Sequence, residues 1–313
     1  MGIRRLGRPT GFNFPVGLGV ASSNTVVDYL VVAGGGASNY EIRGGAGGAG
    51  GFRTASGFSI SSGTSYPVTV GAGGTGSPAD IAGPKGSNSI WSTIISEGGG
   101  GGGRAGQSAP LSNGVAGGSG GGAGGLGNNN PLGFGGAANT SPVVQGSSGG
   151  NGANLDLGNS GGGGGGAGAS GQNGQPSNGG TGGIGTVNSF LTTALATSLG
   201  VGQVSGPAVY FSGGGGSGKD PSSLAAGGLG GGGGAPGNPS RNGMENTGGG
   251  AGTNPGYTTG LNGGKGVVII RYAGPVAAGG GTVSSSDSYT IHTFTGDGTF
   301  STNNDFRATF SIN

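Results

Sequence analysis

The chain has 313 residues, of which 92 are glycine and 15 proline; only 7% are charged and 6% aromatic, and the net charge is +2. Glycine buries no side chain and loses the most freedom on folding, so such a chain is either flexible filler or a lattice of extended helices; its low charge argues against a solvated coil. The same numbers exclude a nucleic-acid surface, which needs clustered cations and stacking aromatics, and the lack of cysteine excludes disulfides and thiolate metal sites.

Residues 1–22 carry early arginines (Arg4, Arg5, Arg8) but no continuous apolar stretch, with Pro9 and Pro15 interrupting them. They do not read as a secretory signal, and Leu6 stands where a myristoylation motif wants Ser or Thr. They are expected to form an attachment arm. No apolar run reaches the roughly 18 residues that cross a bilayer.

From residue 23 onward, short β-like segments alternate with glycine tracts. Val26–Val32 runs into Gly34–Gly36, Tyr66–Val70 into Gly71–Gly74, Ser89–Ile95 into Gly98–Gly103, and Ala208–Phe211 into Gly213–Gly216. Gly266–Tyr272 follows its tract from the other side. Each segment is rich in β-branched and aromatic residues and bounded by glycine or proline, the usual strand signature. Thr186–Leu199 carries Phe190, Leu191, Ala194, Leu195 and Leu199 on one side, which predicts a short helix capped by Asn188 or Ser189 and stopped by Gly200.

The tracts break collagen phase but repeat GGX, as in Gly44–Gly51 (GGAGGAGG). A polyproline-II-type helix turns once in three residues, so GGX leaves two of its three faces bare. Bare helices can pack backbone to backbone in a hexagonal bundle and bond their N–H and C=O groups to neighbours. The expected fold class is therefore mostly β and irregular: short β-strands framing a packed bundle of polyglycine-II-type extended helices, with one short α-helix and a C-terminal β-hairpin module. The glycine-rich domain is expected over 23–274, a linker over 275–286, and the module over 287–313. In that module the turn Gly296-Asp297-Gly298 predicts a hairpin, with Arg307–Ile312 as a third strand.

VVDYLVVAGGG, TSYPVTVGAGG, SNSIWSTIISEGGGGGG, VYFSGGGGSG and GGKGVVIIRY occur in the order found in the glycine-rich domain of tailed-bacteriophage fibre proteins, which residues 25–273 resemble. In the fibre-tip adhesins of that kind, stacked glycine helices carry variable loops that touch the host receptor. The resemblance implies a virion fibre or host-attachment protein assembled in a host cytoplasm. Tyr289–Phe300 departs from the pattern, because the matching segment usually precedes the VVDYLVV-type strand.

Catalytic readings find little support. His292 is the only histidine and sits in an alternating segment, so neither a Ser-His-Asp triad nor a multi-histidine metal site is suggested. No two of the ten carboxylates lie within five residues of each other, and no spacing suggests a glycosidase pair. Gly213–Lys219 fits G-x-x-x-x-G-K, but Asp220 stands where Ser or Thr would hold magnesium. After Val32, Gly34 and Gly36 fit a dinucleotide fingerprint while Asn39 takes the third glycine position. No enzyme activity, cofactor or metal is expected.

Binding is expected where side chains interrupt glycine: Ser38–Arg43, Arg104–Asn113, Asn128–Phe134, Lys219–Leu224, Arg241–Asn246 and Asn254–Tyr257. Tyr40, Glu41, Arg43, Arg104, Phe134, Arg241 and Tyr257 are the candidate receptor contacts, aromatic or charged types favoured at hot spots. Up-and-down tracts should place Ser38–Arg43 and the loops near Ser77 and Arg104 at one end. The leading expectation is a fibre or tip adhesin binding a host receptor, protein or glycan, alone or as a trimer, with no nucleic acid or membrane insertion. A capsid-decorating or tail-connector protein contacting other virion subunits is the alternative; an ice-binding protein and a depolymerase rank below it.

Overall fold

The computed structural model describes residues 25–77, 81–125, 133–154, 159–219, 223–234, 237–238, 240–254, 259–304 and 306. Along the chain run β1 (Thr25–Val32), β2 (Phe52–Ile60), β3 (Ser65–Thr69), β4 (Ser89–Trp91), β5 (Ile94–Ser96) and β6 (Thr186–Val187). Helix α1 (Thr193–Leu199) precedes β7 (Gln203–Ser205), β8 (Ala208–Phe211), β9 (Gly218–Lys219), β10 (Ser223–Leu224) and β11 (Val267–Ala273). β12 (Ala278–Gly279), β13 (Thr282–Ser286), β14 (Tyr289–Phe294) and β15 (Gly298–Thr302) close the series.

The strands build a three-layer base. A central antiparallel sheet, β13-β14-β11-β1-β2, lies between a second five-stranded sheet, β12-β15-β3-β4-β5, and a cover made of α1 with the three-stranded sheet β6-β8-β7. The two apolar faces of the central sheet explain why VVDYLVV and VVIIRY are nearly continuous apolar runs. Val27, Tyr29 and Val31 of β1, with Val268, Ile270 and Tyr272 of β11, pack on one face around the fully buried Trp91. Leu30, Val32, Val267 and Ile269 face the other way, onto Phe190, Leu191, Val209 and Phe211. Tyr29, Phe58, Tyr66 and Phe300 ring Trp91 with centroid distances of 5.0–6.3 Å.

From this base the tracts run out as extended helices, and their hydrogen bonds carry the three-residue period. Successive amides of one tract aim at three different neighbours, and every third amide returns to the same one. Gly45, Gly48 and Gly51 donate to Gly103, Gly100 and Glu97; Ala46 and Ala49 donate to Gly162 and Gly165; Gly47 and Gly50 donate to Ala251 and Gly248. The carbonyls of the same tract accept from residues of 33–36, 119–122 and Gly215. Tract 44–51 thus touches six neighbours, and 161–166 and 213–217 are surrounded in the same way.

Side chains have no room at these contacts. A Cβ on Gly45 would lie 1.8 Å from Gly122 O, and one on Gly47 2.1 Å from Gly36 O. The third face accommodates a methyl group: Ala46 and Ala49 are both completely buried. This is the GGX arrangement expected from the sequence.

Three expectations are corrected. Helix α1 starts at Thr193, not near Asn188, because Thr192 Oγ1 caps the Leu195 amide while Asn188 Oδ1 closes a local turn on the Phe190 amide; Thr186–Val187 is strand. Gly200 does stop the helix, at φ 63°. The segment 275–286 is not a linker but contributes β12 and β13 to the two large sheets. The C-terminal hairpin forms one strand earlier than expected: β13 and β14 turn at Asp287 and Ser288, both at positive φ as a type I′ turn requires, while β14 and β15 enter different sheets. Phe294, Phe300 and Phe306 belong to the Trp91 core, so the boundary expected at residue 274 does not separate two cores. The expected strand Arg307–Ile312 lies outside the described residues, as does the arm over 1–22.

His292 lies fully buried in that core. Its Nδ1 is 2.7 Å from Gly280 O and its Nε2 3.2 Å from Tyr272 Oη. Tyr272 Oη already accepts from the Ala277 and Ala278 amides, so its proton goes to Nε2 and the imidazole is the neutral Nδ1–H tautomer. Burial lowers the His292 pKa, against a smaller opposing effect of the Gly280 carbonyl.

Two outcomes are expected. Gly45→Ala forces two backbones apart and should destabilise by about 1–3 kcal/mol or more, whereas Gly279→Ala, whose Cβ meets nothing within 4 Å, should leave the thermal midpoint unchanged. Equal midpoints for both variants would contradict backbone-to-backbone packing. A folded-state pKa below the unfolded value of about 6.5 means stability is complete above that pH and falls as pH drops through it. Denaturant titrations from pH 7.5 to 5 should show this slope in the wild type, and His292→Gln should flatten it.

Candidate binding surface

The loops collect at the end of the bundle away from the two large sheets, where the short β9-β10 pair also lies. Ser38, Ser77 and Leu261 meet there, with the Leu261 amide 3.0 Å from Ser38 Oγ and the Gly260 amide 2.9 Å from Ser77 O. Asn39 Nδ2 donates to Ile81 O at 2.7 Å, and the Gly125 amide to Arg43 O at 2.8 Å. Arg104 begins the adjacent loop, its amide on Leu111 O at 2.8 Å. The loops near Ser38–Arg43, Ser77 and Arg104 therefore share one end.

Within Ser38–Arg43 the chain makes a compact turn anchored by side chains. Ser38, Asn39 and Ile42 are completely buried; Asn39 Oδ1 accepts from the Glu41 amide, and Glu41 O from the Gly44 amide. Tyr40, Glu41 and Arg43 are half-buried on the outside of that turn. Glu41 Oε2 and Arg43 Nε are shielded from water and have no hydrogen-bond partner among the described residues.

Phe134 is the most exposed of the aromatic candidates, at 60%, on a backbone held by Asn113 Oδ1 and by the Gly114 amide. Leu111 is 39% exposed in the neighbouring loop and Ile81 50% exposed beside Asn39; both were missed because the sequence reading favoured aromatic and charged types. The exposed members of this end thus combine an aromatic ring and two aliphatic groups with half-buried charges. Tyr257 and residues 128–132 and 220–222 lie outside the described residues.

Arg241 plays another part. Its Nε, Nη1 and Nη2 donate to Thr253 O, Ala225 O and Gly216 O at 2.8, 3.2 and 2.6 Å, tying together the ends of three tracts. Burial lowers its pKa to about 10, which still leaves it charged at neutral pH. The guanidinium faces inward, so Arg241 serves the scaffold instead of reaching toward a receptor. The expected loop Arg241–Asn246 is likewise a crossing between the two ends: Met244 N bonds Gly231 O, and Asn246 Nδ2 reaches Gly200 O at the C-cap of α1.

The nucleotide motifs are consumed by the bundle. The amides of Gly213–Ser217, which a phosphate loop would present to its ligand, all donate to carbonyls of other tracts, and Lys219 Nζ donates to Pro176 O. The amides of Gly34–Ser38 are occupied in the same way. His292 is sealed in the base, far along the chain's packing from these loops. Among the described residues no group of three or more His, Asp or Glu side chains gathers in metal-binding proximity, and no helix is long and apolar enough to cross a membrane.

Arg241→Met should lower stability by about 2–4 kcal/mol, because three buried carbonyls lose a charged donor, without changing surface binding by the folded fraction. Chemical denaturation beside a binding assay on folded protein separates the two; a loss of binding at unchanged stability would return Arg241 to the recognition surface.

No characterised protein and no solved structure matches the chain. A family model described as a glycine-rich domain matches residues 16–273, ending at the last residue of β11, although the sheets continue through β12 to β15. With most of its length matched, the chain belongs to the glycine-rich domain family.

Proposed function

We propose that the chain is a structural virion protein of a tailed phage, a tail fibre or fibre-tip adhesin that binds the host cell surface non-covalently through the loop end. The observation that carries this reading is the separation of labour along the bundle. The two apolar cores and the large sheets occupy one end, while the connecting loops that carry Tyr40, Glu41, Arg43, Leu111 and Phe134 occupy the other. A rigid rod with a variable tip suits recognition, because loops held by a preorganised scaffold lose little entropy on binding. The five strand-and-tract segments resembling phage fibre domains supply the biological setting. Neither a cofactor nor a reaction is part of this reading.

In this reading Tyr40, Glu41, Arg43, Arg104 and Phe134 form the contact, with Leu111 and Ile81 as apolar neighbours; Tyr257 is carried from the sequence. The receptor is a protein or a glycan of the host envelope. The base would join the remaining virion subunits.

A connector or capsid-decorating role is favoured by one observation at the base. Val276, just before the edge strand β12, and Val283, on the edge strand β13, are 64% and 42% exposed, as if awaiting another subunit.

Two multiple variants separate the readings. Binding of the purified protein to bacterial cells should be saturable and should fall at least tenfold in Tyr40→Ala/Arg43→Ala/Phe134→Ala, with the Tm unchanged. Retained cell binding in that variant would sink the loop-end assignment. If the wild type binds no cells but Val276→Asp/Val283→Asp abolishes its incorporation into virions, the connector reading replaces the adhesin.

A further inference from the structure

An open groove lies on the flank of the bundle, between the loop end and the base. There the tracts 72–76 and 262–265 run side by side, close enough that a Cβ on Gly73 would sit 1.9 Å from Gly263 O, and the Gly263 amide bonds Gly74 O at 2.9 Å. Their contact forms the backbone floor of an open groove of about 280 Å³. Thr75, Glu245, Asn262 and Lys265 rise around it.

The chemistry of these four groups is unusual for a chain with so few charges. Among the described residues the Lys265 ammonium, the Glu245 carboxylate and the Thr75 hydroxyl make no side-chain hydrogen bond or ion pair, although all three border one groove. Asn262 spends its Oδ1 on the Gly76 amide at 2.7 Å, which fixes the side chain and leaves its Nδ2–H groups as donors not used by that contact. The groove therefore offers donors from Lys265 and Asn262, a pure acceptor in Glu245, and a hydroxyl that serves as either. The floor beneath them is held by inter-tract bonds and does not need to reorganise.

We propose that this groove binds a sugar ring. Vicinal hydroxyls each donate one hydrogen bond and accept others, so they are satisfied by a carboxylate next to an ammonium and an amide. A simple anion would be repelled by Glu245, and a simple cation by Lys265. Among the described residues the groove has no aromatic or large aliphatic side chain to hold an apolar ligand. The groove is open at its ends, which suits one unit of a longer glycan, and its exposure to water implies weak affinity for a single ring, on the order of millimolar. This site is independent of the loop-end contact and stands or falls without it.

Amide NMR of the full chain, titrated separately with glucose, galactose, N-acetylglucosamine and the free amino acid glycine, tests the assignment. At least one sugar should shift the Gly73, Gly74 and Gly263 amides along a saturable curve. Glu245→Gln/Lys265→Met should weaken that response at least tenfold, with an unchanged melting curve, whereas Tyr40→Ala/Phe134→Ala should leave it intact. Three results overturn the proposal: no saturable shift with any sugar, shifts of equal strength in the groove variant, or a response to glycine alone, which would make the groove a zwitterion site.

Discussion

Everything in this protein rests on the approach of one bare backbone to another at a distance where a Cβ would overlap a carbonyl oxygen. At Gly45, Gly47 and Gly50 the space a methyl would fill is already taken by backbone atoms of two neighbouring segments, Gly122 for the first and Gly36 and Ala33 for the others. Such contact is the reason a glycine-rich chain can be ordered. Fixing each residue costs about 1–2 kcal/mol of backbone entropy, and the residue has no side chain whose burial offsets it. What remains is the saturation of N–H and C=O groups in three directions at once. A sheet strand pairs in one plane and leaves edges; a tract such as 44–51 has none.

That arrangement cannot start by itself, since an isolated extended glycine helix has no internal hydrogen bond. The apolar base supplies the alignment. β1 and β11 pair antiparallel from Asp28↔Arg271 to Val32↔Val267, and the tracts that leave them are already adjacent where Gly266 lies against Ala33. Arg271 secures the outer part of this pairing: it meets Asp28 at 3.0 Å while its guanidinium lies between the rings of Phe190 and Tyr289, at 4.1 and 4.4 Å. At the opposite end Arg241 ties three tract ends through their carbonyls. Two of the few cations in the chain thus act as fasteners.

The strand and tract order was legible because β-branched runs and GGX repeats differ so sharply in composition, and β1, β3, β4, β5, β8 and β11 fall where those runs occur. The sequence was silent where a residue's role depends on partners distant in the chain. Arg241 reads as a loop cation, yet its bonds go to Gly216, Ala225 and Thr253. Gly296-Asp297-Gly298 reads as a hairpin turn, but Asp297 Oδ1 accepts from the Val70 amide and the two flanking strands separate into different sheets. The true turn, Asp287-Ser288, lacks the glycine that normally marks a type I′ turn. At the candidate site, sequence located the loops and Tyr40, Glu41, Arg43 and Phe134 on them. It missed Ile81, Leu111 and the flank groove, whose walls come from residues 75, 245, 262 and 265.

The three-residue period also dictates where this scaffold can vary. Inserting one residue inside tract 44–51 rotates everything beyond it by a third of a turn, so each amide faces the wrong neighbour and each alanine methyl faces a carbonyl. Only insertions of three preserve the directions, and even these shift the chain along its neighbours. A loop at the far end has no such constraint: its backbone leaves the lattice after one tract and re-enters at the next, and doubling its length costs only about 0.6 kcal/mol. The physics that forbids change inside the bundle therefore concentrates permitted change at one end. A surface that must track a changing partner can be altered there without touching the contacts that hold the fold.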